Sequence, residues 1–252
     1  QGNVALMDLE TDDNDASNLW HRLAIGRGLT SPPDIEYRRC RGQIWYESES
    51  AARDFAQNQV KAVLLDSAFW ACGANPNSQD NVGQMFQGID ELGSLTSILL
   101  NHTAASQSDE KRRRHYGLEH FRNAVRASWE LRKANDPRQK EVINLGLYRD
   151  KLNMRRDEGP YGFEVIFDGE DGPIYVQRRD DAITDSPELD ASRPAGDRIL
   201  DELMHGRATL KQLSSALDLP EGTVKSAVFR LKGKVRGVRS GSEYVYELPA
   251  FE

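Results

Sequence analysis

The sequence predicts an α/β protein that is followed by a small, separate C-terminal domain. Short apolar runs alternate with helical patterns through the first half of the chain, and the pattern changes after residue 195. Strands that alternate with helices form a mostly parallel sheet with helices on both faces. We therefore expect a first domain at residues 1–179, a linker rich in Asp, Ser and Pro at 180–195, and a second domain at 196–252.

The composition is that of an ordinary globular protein. The chain has 252 residues, of which 38% are hydrophobic and 29% are charged, enough for one sizeable core and a small second one. No apolar run approaches the ~20 residues of a membrane-spanning helix, so we expect no membrane partner. Cys40 and Cys72 lack metal-ligand spacing. A disulfide framework is therefore not expected, and the cysteines favour a cytoplasmic location.

Polar residues follow three of the predicted buried strands. The run NVALMDL (3–9) ends at Glu10, KAVLLDS (61–67) contains Asp66, and the strand at 96–100 precedes Asn101 and His102. Ligands of parallel sheets collect at the carboxyl ends of the strands. We therefore expect Glu10, Asp66 and His102 to lie at one edge of the sheet.

The remaining elements of the first domain follow from periodicity and turn residues. We expect helices at 15–27, 49–58 and 81–92, short strands within 35–46, and a loop at 71–78. A helix-to-strand passage at 121–131 and an antiparallel hairpin at 161–178 complete the set.

The C-terminal domain has the pattern of a winged helix. One helix carries Ile199 and Leu203, Thr209 is the expected N-cap of a second, and 223–232 forms a third. Residues 235–248 then form a hairpin, and three helices with a hairpin make a winged helix.

Basic residues collect in this domain although the net charge of the chain is −7. The stretch 225–239 contains no acidic residue, which indicates a local contact with nucleic acid. We expect binding to duplex DNA, although winged helices also dock proteins. The DNA-binding residues would be Thr223, Lys225, Arg230, Arg236 and Arg239.

Four segments resemble one family in their order and spacing: NVALMDLE, KAVLLDSAFWACG, TSILLNHTA and YGLEHFRNAVRASWELRK. Over residues 3–178 the chain is similar to RecA-like hexameric P-loop ATPases, and within them to the RepA-like replicative helicase group. The resemblance implies a RecA-like sheet, ATP and Mg²⁺ as ligands, a homo-oligomeric ring, and single-stranded DNA held by the core.

The resemblance also implies a role for individual residues. Glu10 would activate the attacking water, Asp66 would hold Mg²⁺, and His102 would sense the γ-phosphate. Arg126 would be an arginine finger that reaches the nucleotide of a neighbouring subunit. A basic cluster would line the DNA channel, and it consists of Lys111, Arg112, Arg113 and Arg114.

One part of the family pattern is missing. The phosphate-binding loop, G-x-x-x-x-G-K-[ST], belongs just before Gln1, and no segment of the chain matches it. Without this loop no backbone amides and no lysine cradle the phosphates. Either a longer polypeptide supplies it upstream or the protein binds no nucleotide, and the start without Met favours the first.

Each assignment has a simpler alternative. Glu10 could be a solvated strand end, Asp66 a helix N-cap, and His102 a core histidine. Arg126 could pair on the surface, and the 111–114 cluster could simply be solvated. The leading hypothesis is an ATP-driven nucleic-acid motor of a plasmid, phage or mobile element. The alternatives are a DNA-binding regulator with a non-catalytic α/β scaffold and a protein-interaction adaptor.

Overall fold

The first part of the chain forms an α/β layer with a parallel sheet. The computed structural model describes residues 3–73, 75, 77–93, 95–102, 119–134, 141–152, 159–241 and 243–249. Four strands pair in the order β2-β1-β3-β4, and every pair is parallel. They are β1 (Asn3–Asp8), β2 (Ile35–Arg39), β3 (Val60–Asp66) and β4 (Thr96–Leu99).

Helices flank this sheet and supply most of its core. The two central strands contribute Met7 and Val63, and the helices contribute Phe55 and Met85, all of them fully buried. Burial on both faces explains the near-continuous apolar runs of the central strands. The helices are α1 (Asp13–Gly26), α2 (Ile44–Gln57), α3 (Ala68–Ala71) and α4 (Gln79–Glu91).

Polar caps determine where two of these helices begin. The Asp12 side chain accepts hydrogen bonds from the backbone N–H groups of Asn14 and Asp15, which satisfies two donors at the start of α1. Ser78 caps α4 in the same way. One sequence expectation is wrong here: residues 44–46, expected in a strand, begin α2, and Ile44 is part of the core. The loop expected at 71–78 overlaps α3 only at residue 71.

A second sheet is antiparallel and packs against α1. Its strands pair in the order β5-β6-β7-β8, and β7 with β8 confirms the predicted hairpin. Arg22 of α1 donates hydrogen bonds to Gly172 O at 2.7 Å and Gly169 O at 3.3 Å in the turn between those strands. The elements are α5 (Glu119–Ala124), β5 (Ala127–Lys133), β6 (Val142–Leu152), β7 (Tyr161–Phe167) and β8 (Ile174–Arg178).

The segment expected as a linker contains two short helices, α6 (Asp181–Thr184) and α7 (Pro187–Ala191). Ile183 and Leu189 are buried in a cluster with Tyr148 of β6. The Tyr148 hydroxyl donates a hydrogen bond to Leu189 O at 2.5 Å. This segment is therefore packed on the antiparallel sheet.

The C-terminal unit has three helices, a small antiparallel sheet and its own core. Thr209 and Gln212 form a reciprocal capping box, which confirms Thr209 as an N-cap. The third helix begins and ends two residues earlier than expected, and the predicted hairpin is present. The elements are α8 (Ala195–Met204), β9 (Ala208–Thr209), α9 (Leu210–Leu217), α10 (Glu221–Arg230), β10 (Arg236–Ser240) and β11 (Glu243–Glu247). The core comprises Ile199, Leu203, Leu213, Leu217, Val224 and Ala227.

Ion pairs join the C-terminal unit to α7. Asp190 pairs with Arg193 at 2.9 Å and with Arg198 of α8 at 3.1 Å. Arg193 also pairs with Asp201 of α8 at 2.5 Å. Within the described ranges, no helix has the length and apolar character needed to cross a membrane.

Candidate active site

Three of the predicted site residues lie together at the carboxyl edge of the parallel sheet. Asp66 ends β3, and Glu10 follows β1, the strand paired directly with β3. The Ser67 hydroxyl donates a hydrogen bond to the Glu10 carboxylate. His102 Nε2 lies 3.1 Å from Glu10 Oε1 and 3.3 Å from Oε2. The strand assignments thus correctly brought Glu10, Asp66 and His102 to one place.

Backbone hydrogen bonds align the strand ends that carry these groups. Leu9 N–H donates to Asp66 O at 2.6 Å, and Leu100 N–H donates to Leu65 O at 3.0 Å. Ala68 N–H in turn donates to Leu100 O at 2.8 Å, and the Asp66–Ser67 peptide bond is cis. The three strands are therefore locked in register up to the residues of the site.

A buried carboxylate, Asp8, holds the segment that carries Glu10. Asp8 is 2% exposed, and its Oδ1 accepts hydrogen bonds at 2.9 Å from the backbone N–H groups of Glu10 and Thr11. The Tyr37 hydroxyl donates to Oδ2 at 3.2 Å, and Arg39 Nη1 pairs with Oδ1 at 3.5 Å. Both oxygens of this carboxylate therefore accept hydrogen bonds, which fixes the turn that follows β1.

Among the described residues, three carboxylates crowd this edge of the sheet, those of Asp8, Glu10 and Asp66. Burial raises the pKa of Asp66, and the carboxylates of Glu10 and Asp8 raise it further, with a smaller opposing effect from His102. Burial, followed by the charge of Asp8, raises the pKa of Tyr37 to about 12. Crowded carboxylates at one edge attract a cation or a proton.

The arrangement suits a metal ion that is coordinated by one protein carboxylate and otherwise by water and a bound substrate. Among the described residues, no three His, Cys, Asp or Glu side chains are placed to share one metal ion. Mg²⁺ commonly takes only one or two protein carboxylates and completes its shell with water and substrate phosphates. Asp66 fits that use, and its predicted role as the Mg²⁺ ligand stays a prediction.

Arg126 is not part of this cluster. It lies exposed between α5 and β5, and no hydrogen bond or ion pair joins it to another residue in the described parts of the chain. The role that the resemblance implies for Arg126, an arginine finger toward a neighbouring subunit, stays a prediction. The channel cluster of Lys111, Arg112, Arg113 and Arg114 lies outside the described residues.

The basic residues of the C-terminal unit are exposed, but they do not share one face. Thr223, Lys225 and Arg230 lie exposed on α10. Arg236 and Arg239 stand three positions apart on β10, so their side chains leave opposite faces of the hairpin. Arg236 is opposite Glu247, whereas Arg239 is opposite Tyr244.

Sequence reasoning missed Asp8, Ser67, Tyr37 and Arg39. Asp8 stands inside the run NVALMDL, where it was treated as part of a buried strand. A charged residue in such a run is almost never fully buried unless it is paired, and that signal could have identified it. Tyr37 and Arg39 carried no local signal because their proximity to Asp8 depends on the pairing of β1 with β2.

No protein-family model and no curated protein matches this chain. The fold and the site define an α/β protein with an acidic site at the carboxyl edge of a parallel sheet.

Proposed function

We propose that this chain forms part of a RecA-like ATPase core with a C-terminal winged helix, and that it acts in an ATP-driven nucleic-acid motor such as a replicative helicase. One observation carries the proposal. Glu10 is held by Ser67 and His102 beside Asp66, where parallel strands end. Phosphoryl transfer to water requires two such groups side by side: one carboxylate that positions the water and one that holds a cation.

Each residue of the site has a separate role in this proposal. Glu10 orients a water molecule and accepts its proton as the water oxygen attacks the γ-phosphorus and the bond to the leaving oxygen breaks. His102 contacts both oxygens of Glu10 and so is placed to respond when that proton moves. Mg²⁺ bound at Asp66 would neutralise the charge of the phosphates. Arg126 would stabilise the transition state from a neighbouring subunit of a ring.

The test is ATP hydrolysis by the polypeptide of the complete open reading frame, with and without single-stranded DNA. Glu10→Gln keeps the size of the side chain but removes its basicity. We expect kcat to fall about 10²–10⁴-fold, with ATP binding retained. Glu49→Gln is the matched control because the Glu49 carboxylate is 86% exposed on α2. This variant should hydrolyse ATP at the wild-type rate. DNA-stimulated hydrolysis that is unchanged in Glu10→Gln would refute the catalytic assignment.

The second candidate is a DNA-binding regulator, and the exposed basic residues of α10 favour it. In that case the three helices and the β10–β11 hairpin would act as a winged helix, and the parallel sheet would be a scaffold. Salt-sensitive binding of duplex DNA by a wild-type protein that hydrolyses no ATP would favour the regulator.

A further inference from the structure

The helix α10 carries an exposed phenylalanine beside basic residues. Phe229 is 78% exposed, whereas Val224 and Ala227 on the opposite side are buried in the core. Lys225 lies one helical turn before Phe229, and Arg230 follows it directly; both are exposed. The helix therefore presents an apolar ring on the side that carries its positive charges.

The charge around Phe229 indicates a polyanionic partner. Residues 222–242 contain no Asp or Glu, and the lysines and arginines of this stretch are all exposed. A second exposed aromatic residue, Tyr244, is 58% exposed and stands opposite Arg239 in the hairpin. The six cations of this stretch would attract nucleic acid; they are Lys225, Arg230, Lys232, Lys234, Arg239 and Arg236, the last of which is opposite Glu247 in the hairpin.

The cations and the aromatic ring can contact different parts of a duplex. Lysine and arginine neutralise phosphates, which sets the position of the protein but reads no sequence. A phenylalanine ring neither donates nor accepts a strong hydrogen bond, so its complement in the major groove is an apolar group. The only such group on the base edges is the C5-methyl of thymine. An α-helix fits the width of that groove.

We propose that Phe229 reads duplex DNA through apolar contact with thymine methyl groups in the major groove. This inference depends on the proposed DNA binding of the C-terminal unit. In this proposal Phe229 distinguishes DNA sequences, whereas the surrounding lysines and arginines contact phosphates.

The test compares two duplexes of equal length and charge, one of alternating dA and dT and one of alternating dA and dU. They differ only in the methyl group. Binding to the full chain is measured by fluorescence anisotropy at two salt concentrations. We expect the wild type to bind the thymine duplex about fourfold more tightly, the effect of one buried methyl group.

Four variants separate the contributions. Phe229→Ala should bind both duplexes equally, whereas Phe229→Leu should keep the preference because it keeps an apolar side chain. Tyr46→Ala is the matched control, since Tyr46 is 76% exposed on α2, and it should behave as the wild type. Lys225→Ala should weaken binding to both duplexes and lower the salt dependence by roughly one phosphate contact.

The outcomes distinguish this inference from the function on which it depends. Salt-sensitive binding without a preference for thymine, or a preference that survives in Phe229→Ala, overturns the role of Phe229 alone. A wild type that binds neither duplex in a salt-sensitive way overturns both the DNA-binding proposal and this inference. An unchanged melting temperature of Phe229→Ala shows that the variant is folded.

Discussion

The Asp8 carboxylate accepts a hydrogen bond from the backbone N–H of Glu10 at 2.9 Å. The residue that we propose as the general base is thus oriented by an acid two positions earlier, which is itself held by Tyr37 and Arg39. Asp8 is a positioning residue in this scheme, because it acts through the backbone of Glu10.

Replacement of Asp8 should affect both folding and activity. Asp8→Ala leaves two backbone N–H groups, the Tyr37 hydroxyl and Arg39 without their acceptor. We expect the free energy of unfolding, measured with urea, to fall by about 3 kcal/mol, because several donors lose their acceptor at once. Tyr37→Phe removes a single hydrogen bond from the same carboxylate, and its expected cost is about 1 kcal/mol. Equal stability of the two variants would contradict this account of Asp8.

Asp66→Asn should raise thermal stability at neutral pH. The raised pKa of Asp66 means that its ionised form is disfavoured by folding. The protonated form of Asp66 therefore stabilises the fold at low pH, and this stabilisation is lost as the pH rises through the pKa of the folded state. The neutral asparagine avoids this loss, so its melting temperature should exceed that of the wild type at about pH 8 and approach it toward about pH 4.

Calorimetric melts in the presence of a chelator measure this difference without interference from bound metal. A lower melting temperature of Asp66→Asn at about pH 8 would show that the charge of Asp66 stabilises the folded state. Activity should be lost in the same variant, because an amide is a poor Mg²⁺ ligand.

Gly26 should not tolerate a methyl group. A Cβ atom at Gly26 would collide with Ile174 O, whereas one at Gly83 in α4 would meet nothing within 4 Å. We expect Gly26→Ala to lower the free energy of unfolding by about 1–3 kcal/mol. Gly83→Ala, the matched control, should raise it by about 0.5–1 kcal/mol because alanine favours helix. Stabilisation by both substitutions would disprove the close contact.

The ion pairs around Asp190 should protect the junction with the C-terminal unit. The Arg193 and Arg198 side chains are only 12% exposed, and both pair with Asp190. Asp190→Ala should speed limited proteolysis within residues 187–195, because two largely buried guanidinium groups lose an acceptor. Glu49→Ala removes a pair whose side chains are 66% and 86% exposed, and it should change neither stability nor cleavage. Identical cleavage of Asp190→Ala and the wild type would rule out this protective role.

Sequence patterns predicted the parallel layer well because both faces of its central strands are buried. The apolar runs ending near Glu10 and Asp66 left one reasonable assignment, and the topology then placed their ends together. The side chains that hold Asp8 could not be predicted in the same way. Tyr37 reaches Asp8 across 29 positions of sequence, and only the pairing of strands brings them into contact.

Half-exposed strands were harder to predict. The sequence indicated no strand at 142–152, although β6 lies in the middle of the antiparallel sheet. In the segment 180–195, Asp, Ser and Pro suggested a linker, yet Ser186 and Pro187 begin α7, and its Leu189 is buried. Turn residues mark helix starts as well as loops, and tertiary burial decides between them.

The contact between Gly26 and Ile174 has a mechanical consequence. The helix that ends at Gly26 begins only three positions after Glu10, and its other end touches the backbone of β8 without an intervening side chain. Main-chain atoms have no rotamers with which to absorb a shift. A rotation of the antiparallel sheet would therefore be carried along the helix axis toward Glu10, the proposed general base, so that load on that sheet would shift the position of this carboxylate.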